Sequence, residues 1–233
     1  MSTLIRVAIL DDHQSIIDGY NFRLSQFANI QVVATATFGQ ELESLLAENP
    51  IDVLILDVHV PTSPENPSPY PILHVIPKLI QSYDDLSVLV ISMHNQPTLI
   101  KAVMDAGASG YILKDDQSTI QELGNVICAV AEGGIHLSHQ AYQQLFKKLP
   151  KESKLTTRQL EVLSLCAAHP DLTTGKIAEK LGVAHSTARN ILSSTYLRLN
   201  VRNRASAVDK ARHLGLITPL SISDMKSTER EKL

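Results

Sequence analysis

An α/β domain built on a parallel sheet, followed by a small all-helical domain, is the fold class this sequence predicts. Three observations carry it. In the first half of the chain, short apolar runs alternate with longer amphipathic segments, the pattern of βαβ units. From Leu155 onward no strand pattern occurs, and apolar residues recur at helical spacing. Charge divides near the same place. Residues 1–150 hold 7 Lys and Arg against 16 Asp and Glu, a net of −9; residues 151–233 hold 14 against 8, a net of +6, and together these give the overall −3.

In chain order, strands are predicted near 4–10, 30–35, 53–56, 87–91 and 110–113. Each is a short apolar run of the kind buried on both faces of a parallel sheet. Helices are predicted near 14–27, 39–47, 71–82, 96–106 and 118–132. The last should open on a capping box, Ser118-x-x-Gln121, and stop at Gly133-Gly134. Between Pro61 and Pro71 lie five prolines in eleven residues. Proline fixes φ and lacks a donor, so this segment is expected to be a stiff extended loop, neither helix interior nor strand. A short helix near 139–148 and a polar stretch form a connector. The resulting division is 1–133, a connector 134–153, a helical domain 154–217 and a polar tail 218–233 that should fray.

Composition narrows the classes. A length of 233 residues fits one or two domains, and the 44% apolar fraction is that of a soluble globular chain. No run approaches the roughly 18 apolar residues of a membrane span, and no secretory signal is visible. Cys128 and Cys166 have no paired spacing, which argues against a disulfide framework or zinc site and fits a reducing compartment.

Candidate chemistry lies at the strand ends. Asp11 and Asp12 end the first apolar run, Asp57 the third, and Lys114 the fifth. In an open α/β sheet, ligands bind outside the carboxyl ends of the strands, so these groups should converge on one crevice. Carboxylates with an amine suit a hard divalent cation and a phosphoryl group. Asp11-Asp12, Asp57 with Pro61 four residues on, Ser92, and Tyr111-Ile112-Leu113-Lys114 together resemble the receiver domain of a two-component response regulator, over about residues 4–132.

That resemblance implies a doubly wound, flavodoxin-like sheet of five strands in the order 2-1-3-4-5. It implies that Asp57 accepts a phosphoryl group, by attack on a phosphohistidine of a sensor kinase. Mg²⁺ would be held by Asp12 and Asp57, by Asp11 through water, and by the His59 backbone carbonyl. Lys114 would pair with one phosphoryl oxygen and Ser92 would donate to another. Tyr111 is the implied switch aromatic, moving inward as Ser92 engages the phosphoryl group. His13 reads as a surface residue. The long proline-rich loop departs from the family's short turn, and Asp115 stands where many receivers have proline.

Residues 155–208 resemble the LuxR/FixJ-type helix-turn-helix domain, through Leu155–Leu163, Lys176–Val183, Thr187–Ile191 and Leu199–Ala205. Thr156-x-x-Gln159 is a capping box, and Gly182 should make the tight turn. In the next helix Ala188, Ile191, Leu192, Thr195 and Leu199 share one face and should pack inward. Ser186, Arg189, Asn190 and Ser193 then point toward a major groove, with Arg189 suited to guanine and Asn190 to adenine. Thr157, Lys176, Arg202 and Arg204 are candidate phosphate contacts. Leu197 falls on the outward face as well.

The two resemblances imply a phosphorylation-controlled transcriptional regulator in the cytoplasm. It is not an enzyme. Its cofactor is Mg²⁺, and its partners are a sensor histidine kinase, double-stranded promoter DNA, RNA polymerase and a second copy of itself, with no membrane. Pairing would use the last helix, through Ala205, Val208 and Ala211. An alternative is a receiver-containing adaptor without specific DNA binding. The opposite charges of the two parts also suggest that the receiver lies over the recognition helix at rest.

Overall fold

A computed structural model describes residues 4–145 and 155–219. The first part runs β1 (Ile5–Leu10), α1 (Gln14–Leu24), β2 (Ile30–Ala36), a 3₁₀ turn (Gly39–Glu41), α2 (Leu42–Glu48) and β3 (Val53–Leu56). It continues through β4 (Pro61–Ser63), β5 (Asn66–Pro69), α3 (Ile72–Ser82), β6 (Ser87–Ser92), α4 (Pro97–Asp105) and β7 (Gly110–Leu113). It closes with α5 (Gln117–Gln121), α6 (Leu123–Ala131), β8 (His136–Leu137) and α7 (His139–Leu145). The second part is helical: α8 (Thr157–Ala168), α9 (Thr174–Lys180), α10 (His185–Leu199) and α11 (Arg204–His213).

The main sheet is parallel throughout, in the order β2-β1-β3-β6-β7-β8. Its first five positions reproduce the doubly wound order that the resemblance to receiver domains implied. Successive side chains alternate between faces, so each face receives its own core. Val7 and Ile9 pack with Ile17, Leu24, Leu123 and Ile127 from α1 and α6. Ala8 and Leu10 face the opposite side, with Leu42, Ile76 and Val103 from α2, α3 and α4. Burial on both sides is why β3 and β7 are uninterrupted apolar runs.

Several local expectations are corrected. The proline-rich segment is a two-stranded antiparallel hairpin, β4–β5, not an extended loop. A two-stranded ribbon has only edges, so it tolerates missing donors. Pro61 stands opposite Pro69, and bonds come from elsewhere: Thr62 Oγ1 donates to the Ser68 carbonyl at 2.8 Å, and Tyr70 N to the Val60 carbonyl at 2.7 Å. Residues 136–145, assigned to a connector, instead supply a sixth strand on β7 and a helix against α4 and β7. Ser118 caps no helix. Asp116 is the cap of α5, accepting from Thr119 N and Ser118 Oγ, and it also receives Gln140 N from α7. The helix foreseen over 118–132 breaks at Glu122 into α5 and α6. Its stop is as read: Gly133 has φ +84°. Residues 146–148 of the helix near 139–148, the remainder of the connector to 153, and the tail beyond Pro219 lie outside the described residues.

Helix α8 is buried from Gln159 to Ala168 without interruption. A helix covered all round has partners on every side. Helices α10 and α11 flank it within its own domain, while α3 and the hairpin of the receiver part cover the rest. Polar contacts cross that boundary. His74 Nδ1 lies 2.7 Å from Glu161 Oε1, and Arg158 Nη1 holds the other carboxylate oxygen at 2.5 Å. Asn66 Nδ2 donates to the Ala168 carbonyl at 2.9 Å, and Lys78 Nζ to the Lys180 carbonyl at 3.0 Å.

Candidate functional site

Three parallel strands deliver the charged groups to one end of the sheet. Asp57 N donates to the Leu10 carbonyl at 2.9 Å and Asp11 N to the Ala36 carbonyl at 3.2 Å, so pairing continues one residue past each strand and fixes both side chains. Lys114 N closes the same pattern on the Ser92 carbonyl at 2.9 Å. The Lys114 ammonium then bridges Asp11 Oδ2 at 2.6 Å and Asp57 Oδ2 at 2.8 Å. Asp11, Asp57 and Ser92 are all buried.

Burial pushes the Asp11 carboxyl above the usual carboxylate range, against the pull of Lys114. Burial alone would lower the Lys114 amine; Asp57 and Asp11 outweigh it and raise it instead. Asp12 is partly exposed and joins the group through His13, whose Nδ1 sits 2.8 Å from Asp12 Oδ1. Among the described residues, Asp11, Asp12 and His13 form a set able to hold a metal ion. His13 is exposed, as its placement in the sequence suggested, yet it belongs to this set. His59 offers its backbone N–H to Asp57 Oδ1 at 3.3 Å.

Tyr111 occupies the inward position: it is fully buried, and its hydroxyl donates to the His94 carbonyl at 2.7 Å. Burial raises its pKa, so it stays a donor. His94 N donates to Ser92 Oγ at 3.3 Å, which ties the loop after β6 to both switch residues. His94 itself was not foreseen. Its imidazole stands 6.1 Å from that of His59, centroid to centroid, and burial followed by His59 lowers its pKa. The signal was in the sequence: each histidine lies two residues past a site residue, in the loops that follow two adjacent strands.

In the helical part, Thr156 and Gln159 form the foreseen capping box of α8. Gly182, at φ +63°, ends α9, with Val183 N donating to the Ala178 carbonyl in a Schellman arrangement. Helix α10 then runs with Ala188, Leu192, Thr195 and Leu199 buried and Ile191 half-buried. Ser186, Arg189, Asn190 and Ser193 are exposed on the opposite side, with Leu197 continuing that stripe at 81% exposure. Thr157, Lys176 and Arg202 are exposed. Arg204 is not: it donates to the Leu172 carbonyl and ties α11 to the loop before α9. Of the apolar positions proposed for pairing, Val208 and Ala211 are buried within the domain and only Ala205 is exposed.

The masking expectation is overturned. The receiver part covers α8 and the segment after α11, while the outward side chains of α10 remain exposed. The tail does not fray at its start either; Thr218 is buried, with Oγ1 3.5 Å from the Val58 carbonyl.

Comparison with known proteins covers both parts. The family described as response regulator receiver domain matches residues 7–125, and bacterial regulatory proteins of the luxR family match residues 153–211. Transcriptional regulatory protein DegU of Brevibacillus brevis is 27% identical over 226 residues, 88% of this chain and 91% of the relative. Oxygen regulatory protein NreC of Staphylococcus epidermidis is 27% identical over 220 residues, 89% and 96% of the two chains. Among solved structures, RcsB of Salmonella typhimurium is similar at 25% identity and TM-score 0.55, covering 90% of this chain and 98% of that one. RcsB of Salmonella enterica serovar Typhimurium, bound to promoter rprA with the phosphomimetic BeF3⁻, shares the fold at 23% identity and TM-score 0.62, covering 89% and 98%.

Proposed function

We propose, from the premise that this chain belongs to the response regulators of the NarL/FixJ type, a receiver joined to a LuxR-type DNA-binding domain, that Asp57 is the phosphoacceptor through which its transcriptional output is controlled. The observation that carries this reading is the buried bridge from Lys114 to Asp11 and Asp57, beside Ser92 at the next strand end.

An Asp57 carboxylate oxygen attacks phosphorus on a kinase phosphohistidine. The P–N bond breaks, the imidazole leaves with its electron pair, and an acyl phosphate forms on Asp57. Lys114 gives up its contact to Asp57 and neutralises one phosphoryl oxygen as a point charge. Ser92 donates to a second, and Tyr111, already inward with its hydroxyl on the His94 carbonyl, holds the loop after β6 in place. The protein's contribution is position and charge, with little covalent work of its own. It transfers one phosphoryl group to itself and turns over no substrate, so we read it as a regulator and not an enzyme.

The donor set fits a divalent cation. Asp11 and Asp12 stand in a group able to hold a metal ion, and Asp57 adds a third carboxylate on the far side of the Lys114 ammonium; burial is the main cause of the raised Asp11 carboxyl, with Asp57 adding to it. We assign Asp12 and Asp57 as direct Mg²⁺ ligands, with Asp11 through water and the His59 carbonyl completing the set. A bound ion would supply charge neutralisation for the transferring group.

Output runs through α10. Ser186, Arg189, Asn190 and Ser193 read base edges in a major groove, while Lys176 and Arg202 hold phosphates. No helix among the described residues is long and apolar enough to cross a membrane. Function on promoter DNA beside a sensor kinase favours the cytoplasm, and half-site geometry favours a homodimer. Incubation with Mg²⁺ and acetyl phosphate, followed by intact-mass measurement, tests the acceptor. One phosphoryl group should add to the wild type and none to Asp57→Asn. Labelling that persists in the variant refutes the assignment.

A further inference from the structure

We infer that the cavity between α2 and α3 of the receiver and α8 and α9 of the helical domain is a second ligand site, which takes a small organic oxyanion: a phosphate or carboxylate head on a compact apolar body. It uses no group of the Asp57 site and does not rest on that reading.

The cavity holds about 300 Å³ and lies between two domains, where small-molecule pockets tend to form. Leu42, Val75 and Leu79 wall it from the receiver and Leu165 from the helical domain, so an apolar body has a place. Its polar lining is mostly basic. His74 and Lys78 come from α3, His169 from the end of α8 and Lys180 from the end of α9. Glu43 is the one acid among the lining residues, on the side of Tyr70; burial, then Glu43, raises the Tyr70 hydroxyl to about 12, so it stays a donor. Among the described residues no ion pair neutralises either ammonium. Lys78 Nζ gives one proton to the Lys180 carbonyl at 3.0 Å, and the Lys180 ammonium has no hydrogen-bond partner. The excess of positive charge is felt at His169, whose pKa is lowered first by burial, then by Lys180 and by His74. Like charges gathered in a cleft with apolar walls focus their field on an anion that enters.

His74 is oriented for the same task. It is 5% exposed, and its Nδ1 lies 2.7 Å from Glu161 Oε1. Burial alone would raise the Glu161 carboxyl; the hydrogen bonds from His74 and Arg158 outweigh it and lower it, so the acid is ionised and the ring proton sits on Nδ1. The other nitrogen, Nε2, has no hydrogen-bond partner among the described residues and is not sealed in, which leaves it to the cavity that the ring lines. An oxyanion held there takes up a proton at Nε2 or brings its own. Lys78, Lys180 and His169 supply the remaining donors, and charge-assisted bonds of this kind are the strong ones. Because the walls come from both domains, an occupant binds only the arrangement that brings them together, and favours it by its own binding free energy. The site is therefore an input to the protein that needs no kinase.

The test is calorimetric titration of the full-length chain, in metal-free buffer at fixed salt, with phenylphosphonate and with benzoate. The P–C bond of phenylphosphonate transfers nothing to Asp57, and benzyl alcohol supplies the apolar body without the charge. At least one of the two anions should bind once per chain and raise Tm, and benzyl alcohol should do neither. Binding of phenylphosphonate alone assigns a phosphate head, and of benzoate alone a carboxylate. Lys180→Met and His169→Gln change side chains that hydrogen-bond to nothing else among the described residues, so the fold is kept. Each should weaken binding, Lys180→Met by about tenfold, the order expected for one charge-assisted hydrogen bond. No saturable binding of either anion overturns the site. So does benzyl alcohol that binds as well as the anions, or an anion affinity that both variants leave at the wild-type value.

Discussion

Replacing Lys114 by methionine isolates the electrostatics of the site. The Lys114, Asp11 and Asp57 side chains are 10%, 2% and 6% exposed, so solvent screens them little. Two carboxylate oxygens that contact one nitrogen at 2.6 and 2.8 Å lie no more than 5.4 Å apart. At an effective dielectric of about 20, two unit charges at that distance repel by about 3 kcal/mol. Removal of one partner from a buried pair costs roughly 3–5 kcal/mol by an independent route, so the two figures agree. For a chain of this size each kcal/mol shifts Tm by about 2–4 °C, so Lys114→Met should melt about 10 °C below wild type in metal-free buffer at neutral pH. Circular dichroism with and without millimolar Mg²⁺ is the assay. Added Mg²⁺ should recover more of the variant's loss than it adds to wild type, because the variant leaves the carboxylates without a counter-charge. The pH dependence has a fixed sign. Asp11 has a raised pKa in the fold, so its ionised form opposes folding; as pH falls through that raised value the carboxyl takes a proton and the variant's deficit should narrow. An equal Mg²⁺ response in the two proteins, or a deficit that widens in acid, refutes the shared buried charge.

Arg189→Ala should relax preference at one operator position and cost about 1–3 kcal/mol, whereas Arg202→Ala should weaken all sequences alike and shallow the salt slope; titration at several salt concentrations separates them. Gly182→Ala meets open space but must adopt φ +63°, so chemical denaturation should show a loss of about 1 kcal/mol from backbone strain alone. Burial pushes the Cys166 thiol up to about 11, so iodoacetamide at pH 8 should label it slowly in the native protein and rapidly in urea, by peptide mapping.

The five central strands were legible because each is buried on both faces and therefore writes an uninterrupted apolar run. The site was legible for a related reason: a strand end is easily located, and Asp11, Asp57, Ser92 and Lys114 all sit at one. What sequence patterning could not carry were features fixed by partners distant in the chain. The strand His136–Leu137 has no run of its own and exists because β7 offers an edge. The prolines of Pro61–Pro71 correctly excluded helix and central strand, but a two-stranded ribbon escapes that rule. Arg204 reads as a surface cation until the carbonyl of Leu172 is placed beside it. Charge asymmetry suggested contact between the two parts, yet net charge has no address. The contact runs through Glu161, an acid within the basic half, paired with His74 of the acidic one.

The short strand β8 bears on how two copies of this protein can meet. It pairs with β7 along Gly110 and Tyr111, and a Cβ at Gly110 would lie 2.4 Å from the His136 carbonyl, so the two backbones are closely apposed. An open strand would present unused amide and carbonyl groups to any passing chain, and recognition by such groups takes little account of side-chain identity. β8 is now the edge strand and only two residues long, so a second copy approaching there meets too little backbone to build an extended ladder. Association there must be made by side chains on helices, whose identity evolution can adjust residue by residue.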